Sequence, residues 1–183
     1  MGTMSLMDVG SFTVEDLYAY REQRDDMTVQ LIEGEFGVSP SPGIAHQGAQ
    51  SELFGILREC APAHLRVLVA PLDLRAGERS VLQPDLMVVS RDLRSGSEVT
   101  VPPTLAVEIL SPSSQRTDLV RKPEVLATFG CPHYWVIDPL APAIRAFDLV
   151  DGLYSLTADV TGDETFTTDA PFAVSFRPTD LVT

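Results

Sequence analysis

The segment Leu105-Ala-Val-Glu108-Ile-Leu110 constrains this chain more than any other. It has the apolar content of a strand buried on both faces, yet a carboxylate sits inside it. Period-two alternation sets Leu105, Val107 and Ile109 on one face and Ala106, Glu108 and Leu110 on the other, so neither face is a solvent face. An ionised carboxylate confined there costs several kcal/mol unless it meets a cation, a set of donors or a proton. A second acid poses the same problem, because Pro84-Asp85-Leu-Met-Val-Val89 puts Asp85 at the mouth of another apolar strand. A divalent cation shared by Asp85 and Glu108 relieves both together, and oxygen donors with retained waters are what Mg²⁺ prefers. The competing reading has Asp85 capping backbone amides at a strand end and Glu108 paired with an arginine. Taken one residue at a time, that ordinary reading is favoured; taken as a pair, it loses ground.

Lys122 is the only lysine among 13 basic residues, the rest being arginine. A single retained lysine suits a site that needs a compact ammonium, which a guanidinium cannot imitate. Asp118 lies four residues before Lys122, the favourable order for a solvated helical ion pair, so that alternative stands beside the first. Pro123 predicts a break, with the proline in the first turn of a second helical segment. His46 falls on the inward stripe of its predicted helix, where one histidine is more often a hydrogen-bonded core residue than a ligand. Glu33 and Glu35 flank a turn glycine, a place where glutamates are usually solvated.

With 183 residues and 44% hydrophobic content, the chain reads as one domain, residues 13–183, behind a loose leader over residues 1–12. No apolar run reaches the ~20 residues of a membrane span, and the first residues lack the basic start and apolar stretch of a secretory signal. Cys60 and Cys131 lack metal-ligand spacing and are too few for a disulfide framework. These features point to a cytoplasmic protein with no membrane partner. A net charge of −13 removes any basic track for polyanions, although bound divalent cations can invert a local field.

Thr13-Val-Glu-Asp16 reads as a capping signal for a helix to about Arg24. Strands are expected at Val29–Ile32 and Phe36–Val38 around a Glu33-Gly34-Glu35 turn, and a helix over Ala45–Glu59 with an apolar stripe of Ala49, Leu53, Ile56, Leu57 and Cys60. Further strands are expected at Leu65–Leu74, kinked at Pro71, at Val81–Val89, at Leu105–Leu110 and at His133–Ile137. A helix over Ser113–Phe129 is capped by Gly130. Asp151-Gly152 signals a hairpin joining Ala143–Leu149 to Leu153–Leu156, and the Thr- and Asp-rich tail is expected to add edge strands. Helices interleaved with a central sheet make the fold α/β or α+β.

In this order, Leu31-Ile-Glu-Gly-Glu35, Ser39-Pro-Ser-Pro42 with His46-Gln47, Ala70-Pro-Leu-Asp73 and Gln83-Pro-Asp-Leu86 form the first half of a motif set. Val107-Glu-Ile-Leu-Ser-Pro-Ser113, Asp118 with Lys122, and Gly130-Cys-Pro-His-Tyr-Trp-Val-Ile-Asp-Pro139 form the second. The set resembles the Uma-type (Uma-two) restriction endonuclease family of the PD-(D/E)XK nuclease superfamily, over about Thr13 to Tyr154. The resemblance implies a restriction-endonuclease-like core, a mixed central sheet flanked by helices, with an extra β-hairpin region near the C-terminus. It implies that Asp85 and Glu108, with the Ile109 carbonyl, hold Mg²⁺ (Mn²⁺ as a substitute), and that Lys122 orients the attacking water or stabilises the phosphorane charge. His46 and Glu35 match positions near that site. Gln30 stands where family members often show Glu, Leu126 where they show Tyr, and Pro123 directly follows the lysine.

Two functions follow from the resemblance. One is a metal-dependent endonuclease hydrolysing nucleic-acid phosphodiesters, DNA ahead of RNA as substrate, with a homodimer as the superfamily's habitual assembly. The other is a catalytically silent binding or assembly module, for which Lys122 is expected to point into solvent.

Overall fold

The computed structural model describes residues 12–24, 28–39, 41–112 and 117–182. Of the leader expected over residues 1–12, all but Phe12 lies outside them, as do Pro40, the Ser113–Arg116 stretch and the side chain of Asp118; Phe12 itself is no loose residue, since its N–H donates to the Gly34 carbonyl and its ring stacks on Phe36. Helix α1 spans Val14–Arg21, with Thr13 as its N-cap. Thr13 Oγ1 accepts from the Asp16 amide at 3.4 Å while the Asp16 carboxylate accepts from the Thr13 amide at 2.8 Å, the reciprocal box that the sequence signals.

Strands β1 (Thr28–Ile32) and β2 (Glu35–Ser39) form an antiparallel hairpin closed by the Ile32–Glu35 pair. Glu33 (φ 53°) and Gly34 (φ 83°) both adopt left-handed backbone, as a two-residue hairpin turn requires. Glu35 therefore belongs to the strand rather than to the turn expected for it. Helix α2 spans Ile44–Cys60 and buries Ala49, Gln50, Leu53 and Leu57. Cys60, the last residue of the helix, is exposed and leaves the expected stripe.

The expected Leu65–Leu74 segment divides into β3 (Leu65–Val69) and β4 (Asp73–Arg75), and the Val81–Val89 run into β5 (Val81–Leu82) and β6 (Leu86–Ser90). Pro84 explains the second break, since it cannot donate to a ladder. With β7 (Glu98–Val99), β1, β2, β4 and β5 form one sheet in the order β2-β1-β5-β4-β7. The second sheet, ordered β11-β10-β9-β8-β6-β3, contains β8 (Leu105–Ile109), β9 (His133–Asp138), β10 (Ala143–Val150) and β11 (Leu153–Thr161). It is mixed: β8 and β9 run parallel, the other pairs antiparallel.

The crossover from β8 to β9 runs through a π-helical turn, Thr117–Arg121, and then helix α3, Lys122–Phe129. Pro123 sits in the first turn of α3, where its missing N–H is harmless, and Gly130 (φ 91°) ends the helix in left-handed backbone. The alternation of β8 distributes the cores. Leu105, Val107 and Ile109 pack with Ala49, Leu53 and Leu57 of α2, whereas Ala106 and Leu110 pack with Val125 and Leu126 of α3. Glu108 consequently faces α3.

The tail departs from expectation. Strands β12 (Phe166–Thr168) and β13 (Val174–Phe176) pair only with each other and add no edge to the main sheet. Their Phe166, Val174 and Phe176 side chains instead close the core on the α2 face.

Candidate active site

The ladder between β6 and β8 ends at the Leu86–Val107 pair. One step further along, Asp85 and Glu108 stand where the two strands part. The Ile109 N–H, which has no strand partner on that side, donates to Asp85 Oδ2 at 2.7 Å. The carboxylate thus fills the fork between the strands as a peptide carbonyl would have done. His46 of α2 brings Nε2 to the same oxygen at 3.2 Å. The Asp85 carbonyl accepts from the Gln50 side-chain amide at 2.8 Å and from the Ala70 N–H at 3.1 Å. Four contacts from α2, β8 and the β3–β4 connection fix this one residue, a degree of support that functional side chains need in order to hold their geometry. Oδ1 has no hydrogen-bond partner among the described residues and stays available. Capping a backbone amide, the ordinary role considered for Asp85, and facing the site are therefore compatible, each using one oxygen.

Among the described residues, the cation that meets Glu108 is Lys122. Nζ donates to Oε2 at 2.8 Å, and the two side chains are only 5% and 2% exposed. The period-two pattern turns Glu108 towards α3, and the break before Pro123 sets Lys122 at the start of that helix, facing the sheet. The solvated partnership of Lys122 with Asp118 falls outside the described side chains. A Lys122 directed into solvent, as a silent module would have it, is not what the fold contains.

Glu35 is placed differently from Asp85 and Glu108. Its Oε2 accepts from Arg121 Nη1 at 2.8 Å, and the same guanidinium donates through Nη2 to the Ile32 carbonyl at 2.9 Å. Glu33 Oε2 lies 3.8 Å from Nη2. Gln30 serves the site from behind: its Oε1 accepts from the Gln83 N–H at 2.8 Å, and the Gln83 amide donates to Asp73 Oδ1 at 2.8 Å. Asp73 also binds Arg21 at 2.6 Å. This chain of amides and one ion pair holds the Gln83-Pro84-Asp85 approach to β6 through a neutral side chain at position 30. Leu126, fully buried, fills core space beneath α3.

Gln50, Gln83 and Arg121 were not legible as site residues. For Gln50 a signal existed, since it follows His46 by four residues and so shares its helix face, an amide on an otherwise apolar stripe. Arg121 offered none beyond adjacency to Lys122.

A mixed sheet with helices on both faces, opened between two antiparallel strands to present paired acids and a buried lysine, defines the nuclease-type α+β class. The chain matches the family Uma2, described as "Putative restriction endonuclease", over residues 14–179, and it belongs to that family. In structure it is similar to a nuclease from Anabaena variabilis ATCC 29413, described as putative and as belonging to DUF820. That likeness has a TM-score of 0.71 at 19% identity and covers 84% of this chain and 89% of the other, which shows the shared fold. No curated protein matches the chain.

Among the described residues no cluster of three or more His, Cys, Asp or Glu side chains forms a metal-holding group. No helix there is long and apolar enough to cross a membrane.

Proposed function

We propose that the protein is a metal-dependent nuclease that hydrolyses phosphodiester bonds of nucleic acid, DNA being the first candidate substrate. One observation carries the reading: Asp85 and Glu108 stand at the fork of β6 and β8, with the chain's only lysine buried against the second acid. Two carboxylates and a backbone carbonyl are too few protein ligands for a zinc-type closed site. They suit Mg²⁺, which keeps waters and takes one or two carboxylates together with substrate phosphates. Asp85, Glu108 and the Ile109 carbonyl would hold the ion, and the available Asp85 Oδ1 fits that role. When bound, such an ion lowers the pKa of a coordinated water and offsets charge at the scissile phosphate.

The chain's own groups supply the rest. Asp85 is oriented before any ligand arrives, because the Ile109 amide and the His46 ring hold its Oδ2. Lys122 donates from Nζ to Glu108, which sets its ammonium beside the acid pair, where it would orient a water or meet a phosphate oxygen. Burial of the pair raises the strength of those contacts by excluding water. The overall acidity of the protein is consistent with a site whose affinity for phosphate depends on an added cation. The homodimer and the cytoplasmic setting belong to the same reading and rest on the sequence alone.

Incubation of the wild-type protein with plasmid, single-stranded DNA and RNA, in Mg²⁺ or Mn²⁺, tests the proposal, with Asp85→Ala and Glu108→Ala run alongside. Metal-dependent cleavage lost in both variants is the expected result. Cleavage undiminished in both places the activity elsewhere, and no cleavage of any substrate returns the silent binding module.

A further inference from the structure

Arg121 and Lys122 are consecutive, yet their side chains do opposite things. Lys122 turns into the protein and is 4% exposed, while Arg121 turns out over the β1–β2 hairpin. The guanidinium grips both strands of the hairpin at its closing pair, taking the Ile32 carbonyl from β1 and the Glu35 carboxylate from β2. The fork of Nη1 and Nη2 is one a lysine could not reproduce, because two acceptors must be met by one planar group.

We propose that Arg121 is a positioning residue: by tying the hairpin to the junction between the π-helical turn and α3, it holds the Lys122 ammonium on Glu108. The junction needs such a tie. Helix α3 has only 8 residues, and its N-cap position makes no side-chain cap. The turn before it is π-helical, a wide form that often occurs at functional sites. The hairpin, in contrast, is anchored independently. The Gly34 N–H donates to the Arg79 carbonyl at 2.8 Å and the Glu33 N–H to Ser80 Oγ at 3.1 Å, so it can serve as a fixed post. Glu35 then acts on the site through Arg121. The fate of Lys122 in the reaction rests on the nuclease reading, but its placement by Arg121 does not.

Because Lys122 is the only lysine, acylation of its ε-amine by sulfo-N-hydroxysuccinimidyl acetate, followed by peptide mass mapping, reports its exposure without interference. Arg121→Ala and Glu35→Ala are compared with wild type, and Arg177→Ala, on an exposed ion pair with Asp180, serves as control. Loss of a charge-assisted contact should raise the population of the open junction, and with it the acylation rate of Lys122, roughly tenfold in Arg121→Ala. Glu35→Ala moves in the same direction, and Arg177→Ala stays at the wild-type rate. In the cleavage assay Arg121→Ala lowers kcat and leaves KM unchanged, as expected for a lost placement rather than a lost binding contact. Lys122 acylation at the wild-type rate in both Arg121→Ala and Glu35→Ala overturns the proposal. A wild-type protein that cleaves nothing removes the nuclease reading and leaves acylation to decide this one.

Discussion

Lys122 Nζ lies 2.8 Å from Glu108 Oε2, in side chains almost wholly withdrawn from water. A buried pair of this kind is weak support for stability in itself, since desolvation offsets much of the attraction. Breaking it from one side is costly because a charge is then stranded. Lys122→Met should accordingly lower the unfolding free energy by about 3–5 kcal/mol. The double variant Lys122→Met with Glu108→Gln should recover a substantial part of that loss, as neither charge remains. Urea denaturation of the three proteins checks this. A cost below about 1 kcal/mol for Lys122→Met, a value typical of solvent-exposed pairs, would mean that the pair is not buried.

Asp85 uses one oxygen to cap the Ile109 amide and leaves the other available, so stability and ligand binding should separate. Asp85→Asn keeps an acceptor for Ile109 and should stay within about 1 kcal/mol of wild type, whereas Asp85→Leu leaves that amide unsatisfied and should cost about 1–3 kcal/mol. Both should abolish Mn²⁺ binding, read by titration calorimetry. Mn²⁺ bound as tightly by Asp85→Asn as by wild type would place the ion elsewhere.

Much of the site was legible because buried charge is conspicuous in a sequence. Glu108 inside an apolar run and Asp85 at the head of another are improbable unless something compensates them, and the alternation of β8 shows which face each residue takes. The break at Pro123 and the cap at Gly130 were equally legible, since both follow from local backbone chemistry. The partners were not. Which cation meets Glu108 depends on how α3 crosses the sheet, so the sequence offered a metal ion or an arginine for Glu108 and Asp118 for Lys122, and did not join the two. Glu35 joined the list of site residues through resemblance, and its bond to Arg121 joins positions 86 residues apart in the chain. The pairing of β12 with β13 was also beyond local reasoning, because an edge strand and a separate hairpin look alike until the core they cover is known.

Two glycines should respond in opposite directions to the same substitution. Gly130 ends α3 at φ 91°, so Gly130→Ala forces a side chain into left-handed backbone and should cost about 1–2 kcal/mol. The space itself is open, the closest atom to an added Cβ being Pro102 Cγ at 3.9 Å, so the penalty is conformational. Gly55, inside α2, has nothing within 4 Å of an added Cβ, and Gly55→Ala should stabilise the protein by about 0.5–1 kcal/mol. Thermal unfolding of both variants tests the pair. Destabilisation by Gly55→Ala would show that this face of α2 is covered.

The two cysteines differ in the same way as their surroundings. Cys60 is exposed and Cys131 is buried, its Sγ donating to the His133 carbonyl at 3.2 Å. Native protein should therefore present one thiol to a disulfide reagent and denatured protein two. Burial pushes the Cys131 thiol up from its usual 9.0 to about 11, because the thiolate would lose its hydration. Between those values the unfolded chain releases a proton that the folded chain retains, so the folded state binds more protons and stability falls as pH rises. The contribution is intact below pH 9.0 and lost by about pH 11. Two pKa units correspond to about 2–3 kcal/mol. Tyr18, pushed up to about 12 by burial and its bond to Glu98, adds to the decline only above its ordinary value of 10.0. Urea denaturation at pH 8, 9 and 10 isolates the cysteine: wild type should lose stability across that interval and Cys131→Ala should be nearly flat. Equal slopes in the two proteins would assign the alkaline loss to other groups.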